Sequence, residues 1–308
     1  MLKLICVPLG GSASRKMFDE AAALPFEETV LVTADRELER QARERRVQAV
    51  TFDNLARMIL HQSGRSGKAG PKSSTGVKLI SRRTQELIIA TILSKLVEYN
   101  GLSYFRGLAE REGFLQALTS LIGQLGRSGA TVEEVETVFP NWEDRPAAYQ
   151  LKDREVAAVY RAYRSYLKLH GLYDVEGLYR LASVALASEE ASWPWRQVYF
   201  YGFYHFEALE IALIERLSKI CQVTVGLVYE ADRPELFQAL ESTYASLAAL
   251  GSSERLDAEG ERAPALKFLA ANWLRPGIHY PLGGEDEAQA AAEPLPNAGS
   301  LKADSLPV

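Results

Sequence analysis

Apolar residues along this chain fall into two regimes. Over the first sixty positions, short apolar runs alternate with charged stretches of helical spacing. Leu2, Leu4, Ile5, Cys6 and Val7 form a run closed by Pro8, and Gly10 and Gly11 supply a turn ahead of a helix over Met17–Leu24. Thr29–Val32 reads as a second buried strand, Leu38–Arg46 as a charged helix and Val47–Phe52 as a third strand. Asp53 is placed as the N-cap of a helix carrying Leu55, Ile59 and Leu60. Strands alternating with helices through short connections predict a parallel sheet with covering helices.

The texture changes at His61. From there to Gly76 the chain is mostly Gly, Ser, Lys and Arg, the composition of an exposed flexible loop. Helical spacing then dominates as far as Leu186, through Thr84–Tyr99, Phe114–Leu125 and Val156–Leu169, with Gly101, Gly129 and Gly171 placed to close three helices. Strands return at Gln197–Tyr201 and Val223–Tyr229, on either side of a helix over Ala208–Ile220. Beyond Pro276, Gly, Ala, Glu and Pro prevail, and the last stretch is expected to be disordered. The expected organisation is α/β at 1–64, an all-helical insertion at 65–190, a return of α/β at 191–275 and a low-complexity tail at 276–308.

With 308 residues, 47% of them hydrophobic and 9% aromatic, the chain has enough apolar surface for a packed core. No run approaches the roughly 18 to 20 apolar residues of a membrane span, and MLKLICVPLGG is too short for a secretory signal. Cys6 and Cys221 lie in apolar, strand-like runs. They are expected to be unpaired buried thiols, which assigns the chain to a reducing cytoplasm. A net charge of −5 excludes a uniformly basic nucleic-acid binder and leaves room for a local basic surface. Such a surface is visible between Asp53 and Glu86, where no acid occurs and Arg57, Arg65, Lys68, Lys72, Lys78, Arg82 and Arg83 accumulate. Salt-sensitive contact with a DNA backbone is the functional reading for Arg65, Lys68, Lys72, Lys78, Arg82 and Arg83, and solubility the plain one. The four histidines lack metal-ligand spacing, and Ser12 and Ser14 lack a histidine partner for nucleophilic work. The aromatics from Trp193 to Phe206 fit a buried strand and its loop better than a row of base-stacking platforms.

The turn after the first strand carries the most specific chemistry. Gly10 and Lys16 match the first glycine and the lysine of a phosphate-binding loop, with Gly11 and Ser12 between them as further candidates for holding a phosphate; the plain reading is a tight strand-to-helix turn with a solvated Lys16. In such loops backbone N–H groups surround a phosphate, lysine reaches the outer phosphates and a hydroxyl holds Mg²⁺. Here Arg15 replaces the second glycine and Met17 the hydroxyl, and a thioether is a poor ligand for a hard cation. The strand expected to end in metal-binding carboxylates, Val198–Phe203, offers Tyr201 and Gly202 instead, and the next acid, Glu207, opens the following helix. Both halves of the site lack metal-handling groups, and Lys16 is expected to meet no carboxylate in space.

Strand, degenerate loop, VLVTADRELERQARER, VQAVTFDNLARMILHQSG, the helical stretch GLSYFRGLAEREGFLQALTSLIGQLGRSGATVEEV and VYFYGFYHFEALEIALIERLSKICQVTVGLVYE together resemble the inactivated superfamily 1 motor of the B subunit in AddAB/RexAB-type helicase–nucleases. The likeness covers roughly residues 2–235. It implies a RecA-like parallel sheet with an inserted all-helical subdomain, engagement of single-stranded DNA in double-strand-break repair, and a catalytic A-type helicase–nuclease subunit as partner. ATP at the degenerate loop is implied only weakly, and no residue of this chain is expected to be catalytic. The family's nuclease needs an acid two positions before a lysine, which no lysine here has, and its iron–sulfur cluster needs four cysteines where this chain has two. The chain is therefore expected to be the amino-terminal part of such a protein, without an iron–sulfur cluster. The alternatives are an active P-loop ATPase or nucleotide kinase with a divergent loop, and a structural scaffold that never touches DNA.

Overall fold

The short apolar runs become strands because each is buried on both faces, the condition under which parallel strands read as continuous apolar segments. The computed structural model of the chain describes residues 1–9, 13–65, 78–138, 146–187, 193–256 and 264–272. Its strands are β1 (Leu2–Val7), β2 (Thr29–Thr33), β3 (Ala49–Val50), β4 (Lys78–Leu79), β5 (Leu172–Tyr173), β6 (Gln197–Tyr201), β7 (Gln222–Val228) and β8 (Gly251–Arg255). Six of them form one parallel sheet in the order β3-β2-β6-β7-β1-β8. The register pairs Val30 with Val198, Val198 with Val223 and Leu4 with Val225.

Helices cover both faces. On one side Ile5, Val7, Leu31 and Tyr199 meet Met17 and Phe18 of α1 (Ser14–Ala22) and Ala42 of α2 (Arg36–Glu44). On the other, Leu2, Leu4, Val32, Phe200 and Val225 lie beneath α3 (Phe52–Arg65) and two helices that come after a long excursion. That excursion holds α4 (Arg82–Glu98), α5 (Glu112–Arg127), α6 (Val132–Val138) and α7 (Ala147–Leu169), which share a separate core around Ile89, Ile122, Val159 and Tyr163. The chain then returns through α8 (Val175–Leu186), β6, α9 (Ala208–Ile220) and β7. It continues through α10 (Pro234–Phe237), α11 (Glu241–Ala248), β8 and α12 (Pro264–Asn272). Emptying a fully buried position such as Leu4 or Ile89 to alanine costs about 2–5 kcal/mol by transfer and cavity terms together.

The α/β plan with an inserted helical block is the expected one, and several local assignments change. The third strand shrinks to Ala49–Val50, because α3 already begins at Phe52. Asp53 is therefore inside the first turn of α3 rather than its N-cap; Thr51 precedes the helix, and its hydroxyl accepts from the Asn54 N–H at 3.4 Å. Helix α3 also runs through His61 to Arg65, so the loop begins later than the composition suggests. Inside the helical block, β4 and β5 form a small parallel pair, Lys78 opposite Leu172. Gly129 and Gly171 adopt the positive φ of helix terminators, 81° and 62°, whereas after α4 that conformation falls to Asn100, one residue before Gly101. Strand β8, with its Ser-Ser-Glu-Arg run, carries no apolar signal in the sequence and is an addition to the expected sheet. The expected tail at 276–308 lies outside the described residues.

Candidate functional site

Parallel sheets of this type present their ligand-binding loops at the carboxyl ends of the strands. Here that edge collects Leu9 after β1, the start of α1, the end of β6 at Tyr201 and Glu230 two residues beyond β7. Helix α1 lies on the sheet because Met17, Phe18 and Ala21 repeat on one side of it and are buried. Met17, where a phosphate loop would have its hydroxyl, is fully buried and faces β7. A Cβ built on Gly226 would come 2.7 Å from Met17 Sδ and 2.8 Å from Tyr201 Cδ2, so both side chains close over this glycine. The Tyr201 ring also meets Phe18 edge-on at 6.0 Å. The space between α1 and the sheet over Gly226 is thus filled with thioether and aromatic carbon.

Lys16 faces another way. Its Nζ lies 3.1 Å from Glu254 Oε1 on the edge strand β8, and Glu254 Oε2 takes Lys3 Nζ at 2.6 Å. The hydrogen bonds from Lys3 and Lys16 hold the Glu254 carboxyl below its ordinary range. The expectation that Lys16 meets no carboxylate is therefore corrected. Glu254 stands on the far side of β1 from β6, however, and one carboxylate shared between two lysines has no surplus charge for a cation. Among the described residues no group of three Asp, Glu, His or Cys side chains could hold a metal ion.

A second carboxylate holds the chain just after β1. Glu230, buried after β7, accepts from the Leu9 N–H at 2.8 Å and lies 3.6 Å from Arg233 Nη1 and 3.7 Å from Arg255 Nη2. Neither Glu230 nor Glu254 stands out in the sequence; for Glu254 the reason is that β8 offers no strand pattern to align it with β1. Gly10, Gly11 and Ser12 lie outside the described residues. The start of α1 keeps an uncapped form, with Ala13 at the N-cap and no acid in the first turn.

Of the basic residues, Lys78 lies exposed on β4, and Arg82 and Arg83 lie exposed in the first turn of α4. Arg65 ends α3, and Lys68 and Lys72 lie outside the described residues. The first turn of α4 has two arginines and no acid, an arrangement that the helix dipole disfavours by a few tenths of a kcal/mol or more. Arg82 recovers part of this through Glu86, 3.8 Å away. Of the aromatics near β6, Trp195, Tyr199, Phe200 and Phe206 are buried, Trp193, Tyr201 and Phe203 are half-buried, and Tyr204 is 76% exposed. Both cysteines are unpaired, and burial pushes their thiols up to about 11. No helix among the described residues is long and apolar enough to cross a membrane.

The fold is that of a parallel α/β domain interrupted by a helical excursion between its third and sixth strands. The chain belongs to the family described as ADDB, N-terminal, whose model matches residues 28–273. It is 28% identical over 258 residues to the B subunit of the ATP-dependent helicase/deoxyribonuclease of Carboxydothermus hydrogenoformans, covering 81% of this chain and 22% of that protein. To the protein of the same name from Geobacillus kaustophilus it is 24% identical over 229 residues, covering 70% of this chain and 18% of the other. The chain spans about a fifth of the length of these curated relatives.

Proposed function

We propose that this chain is a non-catalytic, helicase-like domain that guides single-stranded DNA within a two-subunit helicase–nuclease acting on double-strand breaks. A partner of the A type supplies ATP-driven unwinding, and the work is done in the cytoplasm. The observation that carries this reading is that Met17 and Tyr201, at the sequence positions where the motifs call for a hydroxyl and a carboxylate, pack over Gly226, while Lys16 is bound to Glu254. Family membership supports the setting, since the relatives are named as components of a helicase/deoxyribonuclease.

The DNA contact is assigned to Arg65, Lys68, Lys72, Lys78, Arg82 and Arg83. The two arginines that α4 carries against its own dipole favour a ligand of opposite charge. Electrophoretic binding to single-stranded DNA tests this, comparing the natural chain with a variant in which Lys68, Lys72, Arg82 and Arg83 are alanine. The variant is expected to bind more weakly and with a shallower salt dependence. Equal affinity for both proteins would favour the scaffold reading.

A further inference from the structure

Strands β2, β6 and β7 begin in register on three polar residues, Thr29 opposite Gln197 and Gln197 opposite Gln222. The connections that lead into these strands from α1, α8 and α9 surround a recess of about 670 Å³ at the amino-terminal edge of the sheet. Its volume is that of a small-molecule site, and every residue lining it is among the described residues. Part of the lining is flat and apolar. The rings of Trp193 and Trp195 lie 6.0 Å apart with planes 19° from parallel, and Leu24 and Pro25 line the recess with them. The polar part is uncharged. Thr29 is 1% exposed and its hydroxyl has no hydrogen-bond partner among the described residues, which is rare for a buried polar group. Gln197 is buried, and its Nε2 donates to Thr224 Oγ1 at 2.9 Å, which leaves the amide oxygen as the acceptor. The side-chain charges at the rim answer one another, Arg196 lying 3.5 Å from Glu28 and Lys219 2.6 Å from Glu215. The amino group of Met1 donates to the carbonyls of Ser218 and Cys221.

We propose that this recess binds an uncharged planar aromatic ring carrying a hydrogen-bond donor, of the phenol or indole class. The ring stacks against the tryptophan pair, and its donor is taken by the Thr29 hydroxyl and the Gln197 amide oxygen. A charged ring gains nothing here, because the polar groups inside are neutral and the rim side chains are already paired. The site lies at the opposite edge of the sheet from Leu9, Tyr201 and Glu230, and none of the basic residues assigned to DNA lines it. It is independent of the guiding role, and either reading can fail without the other.

Magnetic-resonance titration of the isotope-labelled chain with p-cresol, and separately with indole, tests the proposal through the indole N–H resonances of Trp193 and Trp195. Saturable shifts of both are expected at roughly millimolar ligand, the affinity that so small a ring supports. Cyclohexanol, which has the bulk and the hydroxyl without the flat ring, is expected to bind at least about tenfold more weakly. Trp193→Leu is expected to weaken p-cresol binding by about tenfold, read at Trp195. Thr29→Val keeps the side-chain shape and removes the hydroxyl. It is expected to weaken p-cresol by about tenfold while the melting midpoint of the unliganded chain stays level or rises, a split that a loosened fold does not produce. N-Acetyl-tyrosinamide distinguishes the source of the ring: tighter binding than p-cresol points to a polypeptide side chain, weaker binding to a free small molecule. Thermal melts identify any variant that has unfolded, and Trp193→Phe or Thr29→Ala then replaces it. No saturable shift with either ring, cyclohexanol binding as tightly as p-cresol, or undiminished p-cresol binding by a folded Thr29→Val overturns the proposal.

Discussion

Tyr179 on α8 donates its hydroxyl hydrogen to Asp53 Oδ1 on α3 at 2.5 Å, tying the end of the helical excursion to the helix that leaves the third strand. The ring of Tyr179 packs against Phe52 at 5.3 Å, so the bond forms beside an aromatic contact. Burial, with the Asp53 carboxylate second, holds the phenol well above its ordinary range. Tyr179→Phe keeps the ring and removes the donor. It is expected to cost about 1.5–3 kcal/mol, the range for a hydrogen bond to a charged group, read as a lower denaturation midpoint.

Glu155 has the same function within the helical block. One of its carboxylate oxygens accepts from the N–H groups of Ser103 and Tyr104, both at 2.7 Å, and from Ser103 Oγ at 3.1 Å. The other accepts from the Phe105 N–H at 2.9 Å. These donors belong to an irregular segment between α4 and α5 that has no other regular structure to satisfy it. Glu155→Ala leaves the buried Phe105 N–H and the half-buried N–H groups of Ser103 and Tyr104 without their acceptor and is expected to cost about 1–3 kcal/mol, while Glu155→Gln, which retains an acceptor, is expected to cost less. Amide hydrogen exchange at residues 103–105 checks the assignment, and unchanged protection there would contradict it.

The carboxyls of Glu176 and Glu210 are both raised, chiefly by burial, with Asp174 also raising Glu176. A carboxyl raised in the folded state binds its proton more tightly there. Its stabilising contribution is complete below the ordinary value of 4.5 and is lost as pH rises through the folded value. Glu37, Glu134 and Glu254 are lowered by their hydrogen bonds and act in the opposite sense, but they lie in solvent and are screened. Glu176→Gln keeps an acceptor for Arg127, 3.3 Å away, and removes the buried charge. The variant is expected to lose less stability than the natural chain as pH rises above 4.5, checked by thermal melts across that window.

Gly226 is the place where Met17 and Tyr201 come closest to the backbone. Gly226→Ala forces one or both to move and is expected to cost about 1–3 kcal/mol through overpacking. Combined with Met17→Ala, which empties the same space, the cost is expected to fall below the sum of the two single changes, as urea denaturation of the double-mutant cycle would report.

Much of the sheet is legible in the sequence because its strands are buried on both faces and so read as apolar runs. β1, β2, β6 and β7 all carry that mark, and the helix over Ala208–Ile220 has the bounds that its spacing predicts. The elements that sequence reasoning misses lack it. β8 pairs through its backbone while presenting serine, glutamate and arginine, and without β8 the partner of Lys16 has no position. Met17 is legible as a missing hydroxyl, whereas its packing over Gly226 depends on a strand more than two hundred residues later. Asp53 is misplaced by sequence reasoning because cap residues and first-turn acids look alike along a chain, and only the start of α3 at Phe52 distinguishes them.

Steady-state ATP hydrolysis by the purified chain, with Mg²⁺ and saturating single-stranded DNA, tests the loss of motor chemistry most directly. The rate is expected to equal that of the Lys16→Ala variant and of buffer alone. DNA-stimulated turnover that disappears in Lys16→Ala would contradict it.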